Sequence, residues 1–313
     1  MKFARMLPIF VVWMLGCNQA PDQPVTIAIN PWPGYEPMYL AEVQGFFKQN
    51  GINVELVQLD SLSDVQRAYL NGHVDGMAST MIEAVQASHL GNKPLKIIMV
   101  PDYSNGGDVL IGAAEFNSVA QLKGKRVGVE VSSLGIYVLH RALSKHGMTL
   151  DDVELVNTKQ ERALNELNAK NIDAVVTYPP FSVEILKSKG YEKLFTSAEI
   201  PFEIIDVVSV SESVLIAQPE FVPRLRASWQ MALDYMASDP ARSMQIMAER
   251  EGISVEDFEA ALEDLVVLNA SQQNDLFQRE TLQEAVIDVC EVLVGVDSIE
   301  TNCDQFSNII YDK

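Results

Sequence analysis

The residues best placed for chemistry in this 313-residue chain fall in five short segments, each following an apolar run: 31–35, 79–80, 103–108, 132–135 and 178–180. In open α/β sheets such strand ends converge on the ligand crevice, so the chemistry expected of them is recognition. Trp32, Tyr35, Tyr103 and Tyr178 would supply aromatic walls. Core packing is the ordinary alternative for each, and Trp32, between two prolines, is the hardest of them to bury. Ser79-Thr80 and Ser132-Ser133 each open a helix, where free N–H groups and the dipole can hold an anionic or polar group. Plain capping is the simpler role for each hydroxyl taken singly. The acids Asp108 and Asp206, with Glu36 and Glu130, lie in or beside the crevice loops, and the five segments contain no Lys or Arg. If two of these acids face inward, a bare anion is repelled. A planar nitrogen-bearing solute then fits better, its ring against Trp32 or Tyr178 and its N–H groups on carboxylates. Carboxylates turned to solvent or supporting a hinge are the alternative in so acidic a chain.

Catalysis finds little support. His73, His89, His140 and His146 fall on four different elements and show no His-Glu-x-x-His spacing, and there is no Gly-x-Ser-x-Gly elbow. No catalytic residue, metal ligand or cofactor is expected.

The amino terminus reads as an address. Lys2 and Arg5 precede the apolar residues 6–15, and the run stops at Gly16-Cys17. This is the charged segment, apolar segment and cleavage point of a secretory signal, with an apolar run about half the length of a membrane-spanning helix. Gly16-Cys17 resembles a lipobox in which Cys17 is acylated, with Met14 and Leu15 as departures from the usual pattern. An ordinary signal peptide that contains a Cys is the alternative. Residues 18–24 follow as a polar tether. Residues 18–313 carry 21 Lys+Arg against 43 Asp+Glu, a net charge of −22. Such a surface repels nucleic acid and anionic lipid, so the lipid anchor would be the only membrane contact. The expected location is the periplasmic side of a bacterial membrane, or the outer face of the cell membrane where there is no outer membrane. Cys290 and Cys303 then lie in an oxidising compartment, either as a disulfide, which the compartment favours, or as two buried thiols.

Behind the candidate segments, strands and helices alternate from Val25 to about Val100, and the alternation restarts after residue 108. This predicts an α/β architecture with a mostly parallel sheet. The stretch Leu70–Gly76 is echoed by Leu167–Ala174, each with an Asp (Asp75, Asp173) opening the next strand. Beyond a strand at residues 204–210 the pattern turns helical, with breaks at Pro240, Gly252 and residues 269–274.

Residues 30–41 (Asn-Pro-Trp-Pro-Gly-Tyr-Glu-Pro-Met-Tyr-Leu-Ala), with 45–48 and 51–55, resemble the opening of the nitrate/sulfonate/taurine/thiamine-pyrimidine family of ABC-importer substrate-binding proteins. Residues 122–129 and 173–181 carry the same resemblance. It implies the two-lobed type II periplasmic binding fold, with chain crossings near 105–110 and 202–208 and the helical segment packed on lobe one. The expected parts are a lipoprotein signal over 1–17, a tether over 18–24, lobe one over 25–105 and 205–313, and lobe two over 106–204. It further implies a monomer that binds a small solute between its lobes and serves an ABC permease and ATPase. A lipoprotein that reports solute occupancy to a membrane receptor is the alternative.

Overall fold

The computed structural model describes residues 23–311. The expected signal segment, the acylated Cys17 and most of the tether lie outside the described residues. No described helix is long and apolar enough to cross a membrane.

Twelve strands organise the described residues: β1 (Val25–Ile29), β2 (Val54–Gln58), β3 (Gly76–Thr80), β4 (Leu95–Met99), β5 (Asp102–Ser104), β6 (Val109–Ala113), β7 (Arg126–Val129), β8 (Glu154–Asn157), β9 (Ala174–Thr177), β10 (Tyr191–Thr196), β11 (Asp206–Ser211) and β12 (Leu265–Val267). One five-stranded sheet runs β2-β1-β3-β11-β4 and a second runs β10-β6-β9-β7-β8. Taken from opposite ends, the two sheets follow one plan. Three parallel strands (β2, β1, β3 and β8, β7, β9) are continued by an antiparallel fourth, β11 or β6. The echo around Asp75 and Asp173 is therefore structural. Asp75 accepts hydrogen bonds from the amide and hydroxyl of Thr26 at 3.0 and 2.9 Å, closing the entry to β1. Asp173 accepts from the amide of Arg126 at 2.9 Å and from its guanidinium at 3.1 and 2.8 Å, closing the entry to β7. The central strands β3, β9 and β11 are buried along their whole length, and helices cover the sheet faces.

Each antiparallel strand is the one that arrives from the opposite lobe. The chain leaves the first sheet through β5 and enters the second as β6, then returns after β10 to form β11. The two crossings are bonded together: the Ser104 amide donates to the Ile204 carbonyl at 2.9 Å, and the Ser104 and Ser197 hydroxyls lie 2.7 Å apart. Ser197 Oγ also accepts from the Gly106 amide at 2.7 Å, and Ser104 Oγ from the Asp108 amide at 3.1 Å. Phe202 takes a left-handed backbone conformation (φ 62°) that a bulky side chain adopts only when its surroundings hold it. Its ring meets Tyr103 edge-on at 5.1 Å across the crossings.

The helical tail (Phe221–Ser238, Pro240–Glu251, Val255–Glu263, Ala270–Phe277 and Glu280–Gly295) folds back on the first lobe. Trp229 is fully buried and donates through Nε1 to the Leu268 carbonyl at 2.8 Å, and Arg226 caps the Ile98 carbonyl of β4. Ile310 pairs with Ile97, covering the outer edge of β4. Residues 269–274, expected as a break, instead start the helix Ala270–Phe277. Asn269 and Gln272 there form a reciprocal capping box, so polar residues that looked like a loop are a helix start. The chain also contains elements that the pattern left unseen. β5 and β12 are three residues each, too short to show a period, and β10 is a half-exposed edge strand.

Two contacts tie the tail down. Cys290, fully buried, is joined to Cys303 in a disulfide with a Cα–Cα distance of 5.7 Å and a sequence separation of 13. Arg250 donates to the Glu36 carboxylate at 2.6 Å, with the two side chains 8% and 1% exposed, and stacks over the Tyr39 ring at 4.4 Å. Burial pushes Glu36 up to about 7 even though the guanidinium opposes the shift. Glu251 beside it is raised well above the carboxylate range, by burial first and then by Glu36.

Cys290→Ser should lower stability by about 3 kcal/mol, the loop-closure entropy for a bridge of this span, measured by urea denaturation. A loss below about 1 kcal/mol would show that helix packing alone holds the carboxyl terminus. Arg250→Ala should cost about 3 kcal/mol or more at neutral pH, because it strands a buried carboxylate. The sign with pH follows from the raised value. An acid whose folded pKa lies above its unfolded value costs stability as pH climbs from the lower value to the higher. The variant should therefore lose more at about pH 8 than at about pH 5, and equal losses would assign the effect to lost packing on Tyr39.

Candidate functional site

The strand ends of the two sheets meet around a small cavity, with room for about one water molecule. Asn30, Trp32, Tyr35, Leu62, Thr80 and Asp206 line it from the first lobe, and Asp108, Leu134 and Tyr178 from the second. Every one of these residues is buried, so the space is enclosed between the lobes. The shared plan of the sheets explains the pairing. Asp206 opens β11 opposite Thr80, the last residue of β3. Asp108 immediately precedes β6, whose first residue lies opposite the end of β9, where Tyr178 follows. Each crossing strand thus delivers an aspartate to the cavity beside the end of a parallel strand.

The Pro-Trp-Pro-Gly break after β1 shapes the first wall. Trp32 is extended and a short 3-10 turn, Pro33–Tyr35, follows it. Gly34 has no room for a side chain, since a Cβ there would lie 2.1 Å from the Asp102 carboxylate. That contact lets Asp102 Oδ1 accept from the Trp32 indole at 3.2 Å. Gly107 of the crossing is equally constrained by the Trp32 ring. The Tyr35 hydroxyl donates to Asp206 Oδ1. Trp32 meets Tyr178 edge-on across the lobes at 6.0 Å, and Tyr178 meets Phe181 at 5.8 Å.

The electrostatics are one-sided. Burial pushes the Asp102 and Asp108 carboxyls up to about 7, and pushes Asp206 well above the carboxylate range with Asp102 adding to the effect. Glu130, at the end of β7, is likewise pushed to about 7 by burial. One oxygen each of Asp102, Asp108 and Asp206 has no hydrogen-bond partner in the protein, nor do the Tyr178 hydroxyl and Asn30 Oδ1. Among the described residues, no Lys, Arg or His lines the cavity. An arrangement of unpaired buried acceptors between aromatic edges suits a small donor-rich molecule, because each satisfied acceptor recovers part of its desolvation cost.

Of the ten residues expected to bind ligand, the cavity brings together Trp32, Tyr35, Thr80, Asp108, Tyr178 and Asp206. The other four stand elsewhere. Ser79 is buried within β3, its hydroxyl bonded to the Thr80 carbonyl at 3.1 Å. Tyr103 stacks on Phe202 at the crossings, Ser132 is exposed, and Ser133 is buried but makes no side-chain capping bond. Glu36 faces Arg250, away from the cavity lining. The two helix starts expected to hold an anion are already occupied by side chains. Thr80 Oγ1 accepts from the Ile82 amide at 3.2 Å, and Glu83 Oε1 accepts from the Leu134 amide at 2.7 Å. Sequence reasoning missed Asn30, Leu62 and Leu134, whose types carry no signal, and the supporting acids Asp102 and Glu83. Asp102 stands one residue before a segment that was singled out, and Glu83 completes a Thr-x-x-Glu capping box. Among the described residues, no three His, Cys, Asp or Glu side chains are grouped so as to hold a metal ion.

This architecture is shared with solved proteins. The alkanesulfonate-binding protein SsuA from Xanthomonas axonopodis pv. citri, bound to MOPS, superposes with a TM-score of 0.78, at 16% identity, over 93% of this chain and 99% of that one. That likeness shows the fold, which is the two-lobed periplasmic binding protein fold. A protein of Brucella abortus (strain 2308), named only for binding, is 30% identical over 145 residues. The match covers 45% of this chain and 46% of the relative, so the chain spans about half the length of the curated relatives it matches first. The 4-amino-5-hydroxymethyl-2-methylpyrimidine phosphate synthase of Aspergillus parasiticus is 24% identical over 233 residues, 68% of this chain and 66% of that protein. Residues 32–243 match the family model described as NMT1/THI5 like, and the chain belongs to that family.

Proposed function

We propose that this chain is the extracytoplasmic solute-binding lipoprotein of an ABC importer, closing its lobes over a small nitrogen-bearing organic solute and delivering it to a permease and ATPase. The observation that carries this reading is the enclosed cavity between the lobes, lined by carboxylates and aromatic rings and by no cationic side chain. In the closed form that space has room for about one water molecule, so a small ring or a short amine would enter only as the lobes part. The solute's N–H groups would donate to Asp108 and Asp206, and its ring would lie against Trp32 or Tyr178, parting their edge-on contact. A sulfonate such as the MOPS held by SsuA would meet two buried acids here, Asp108 and Asp206, and no countercharge among the lining residues. A binding role is favoured over the synthase chemistry named for the fungal relative, because no nucleophilic thiol, imidazole or amine reaches the cavity. Acylation of Cys17 would hold the protein at the membrane surface.

Calorimetry against pyrimidines, amines, taurine, alkyl sulfonates and nitrate tests the solute class. An aminopyrimidine or amine should bind with micromolar affinity or better. Binding of a sulfonate or nitrate, with every nitrogenous compound silent, would overturn the assignment.

Closure itself should respond to pH. The acids that face the cavity or stand just behind it are Asp102, Asp108, Asp206, Glu83 and Glu130, with Tyr35 and Tyr178 between them. Opening the lobes returns the acids to water and to ordinary carboxylate values, so closing the empty protein takes up protons. For groups raised to about 7 by closure, the closed form loses stability as pH climbs from the ordinary carboxylate range to about 7, and the loss is complete above it. Small-angle scattering of solute-free protein should give a smaller radius of gyration at about pH 5 than at about pH 8. A bound cationic solute should close the protein at both. A radius unchanged by either pH or solute would indicate a rigid molecule.

A further inference from the structure

We propose that Glu83 is the positioning residue that latches the lobes, one carboxylate capping a helix in each of them. The inference rests on the reading that the lobes open and close.

Glu83 is completely buried in the first turn of the helix Met81–Leu90, in the first lobe. Its Oε2 accepts from the Thr80 amide at 3.0 Å and from the Thr80 hydroxyl at 2.5 Å, the reciprocal half of an ordinary capping box. A capping box occupies only one oxygen of the carboxylate, which has about four acceptor sites in all. The other oxygen, Oε1, accepts from the amide of Leu134 at 2.7 Å. Leu134 is the first residue of the eleven-residue helix Leu134–Ser144, which belongs to the second lobe. That helix lacks a cap of its own, since Ser133 stands at the capping position and makes no side-chain bond. The cap is supplied from across the cleft.

A second carboxylate runs the opposite way. Glu130, on the second lobe, accepts from the Ser63 hydroxyl at 3.2 Å, in the first turn of the first-lobe helix Leu62–Leu70. Each lobe therefore sends one acid to a helix start of the other. Among the described residues no Lys or Arg bonds to either carboxylate; Glu83 is met by the amides of Thr80 and Leu134 at two helix starts, and Glu130 by a hydroxyl. Glu83 has the greater reach into the site. Its bonded neighbours Thr80 and Leu134 both line the cavity, one from each lobe, so this carboxylate sets the spacing of the opposed walls. Opening the cleft breaks the Leu134 bond and leaves the Thr80 bonds intact.

Two variants separate a latch from a plain helix cap. Glu83→Gln keeps the shape but cannot accept at both Leu134 and Thr80. Leu134→Pro removes the single N–H that Glu83 reaches for, at a first-turn position where proline is tolerated and after a residue already extended (Ser133 φ −146°, ψ −162°). Small-angle scattering would be fitted as a mixture of open and closed forms at about pH 5 and about pH 8, with and without excess 4-aminopyrimidine. Thermal melts and amide exchange of residues 134–138 would accompany it. A hydrogen bond to a charged group is worth about tenfold or somewhat more in such an equilibrium, so each variant should lower the closed-to-open ratio by about tenfold. Exchange at the start of the second-lobe helix should quicken to match. A lower melting temperature with an unchanged closed fraction in both variants would overturn the proposal and leave Glu83 an ordinary cap. A wild-type protein that shows one compactness under every condition would overturn the closure reading and the latch with it. Wild type that closes while both variants close equally well would sink the latch alone.

Discussion

Everything in this molecule hangs on a topological constraint: the antiparallel strand in each sheet must come from the other lobe. β6 and β11 are buried central strands, so neither sheet is complete until the chain has crossed, and the chain must cross twice. The two crossings then have to run side by side, and they are bonded to each other through Ser104, Ser197 and Ile204. Because the crossing strands start where the parallel strands end, their first residues, or those just before them, stand at the crevice. Asp108 and Asp206 reach the cavity for that reason. The same strand that completes a sheet delivers an acid to the cavity, which couples folding of the core to formation of the cavity wall.

The cost of this arrangement is electrostatic. Buried carboxylates without a cation are destabilising unless they are protonated or fully hydrogen-bonded. Only Glu83 is well provided for, with three donors. Asp108 and Asp206 on the cavity wall, and Asp102 behind Trp32, each keep one oxygen unbonded. Elsewhere acids meet cations. Arg250 neutralises Glu36 in the core, and the half-exposed Arg126 and Arg141 form paired bonds to Asp173 and Glu203.

Much of the fold was legible because its signals are local. Apolar runs such as Val25–Ile29, periodic helices such as Phe221–Ser238 and the Pro31–Gly34 break each carry their period or their breaker within a few residues. Six of the ten expected binding residues share one cavity, because strand ends in such sheets converge by geometry alone. The failures are equally physical. Residues 269–274 looked like a loop by composition, but Asn269 and Gln272 bond reciprocally and start a helix. β5 is held extended by β12 and by Ile204-Ile205, all far along the chain, and no local pattern can announce such strands.

The sequence by itself determined the alternation of strands and helices, the acidic character, the repeated plan marked by Asp75 and Asp173, and the loops from which a site could be built. These are properties of backbone sterics, hydrophobic period and charge, which act over a few residues. Only the tertiary structure decided which acids turn inward and what they meet. Glu36 went to Arg250, Asp102 joined Trp32, and Glu83 reached a helix of the other lobe. A side chain's partner depends on residues tens to hundreds of positions away, and on burial that exists only once both lobes have formed. The same Thr-x-x-Glu that reads as a helix cap in the sequence becomes, in three dimensions, a contact between two halves of the molecule.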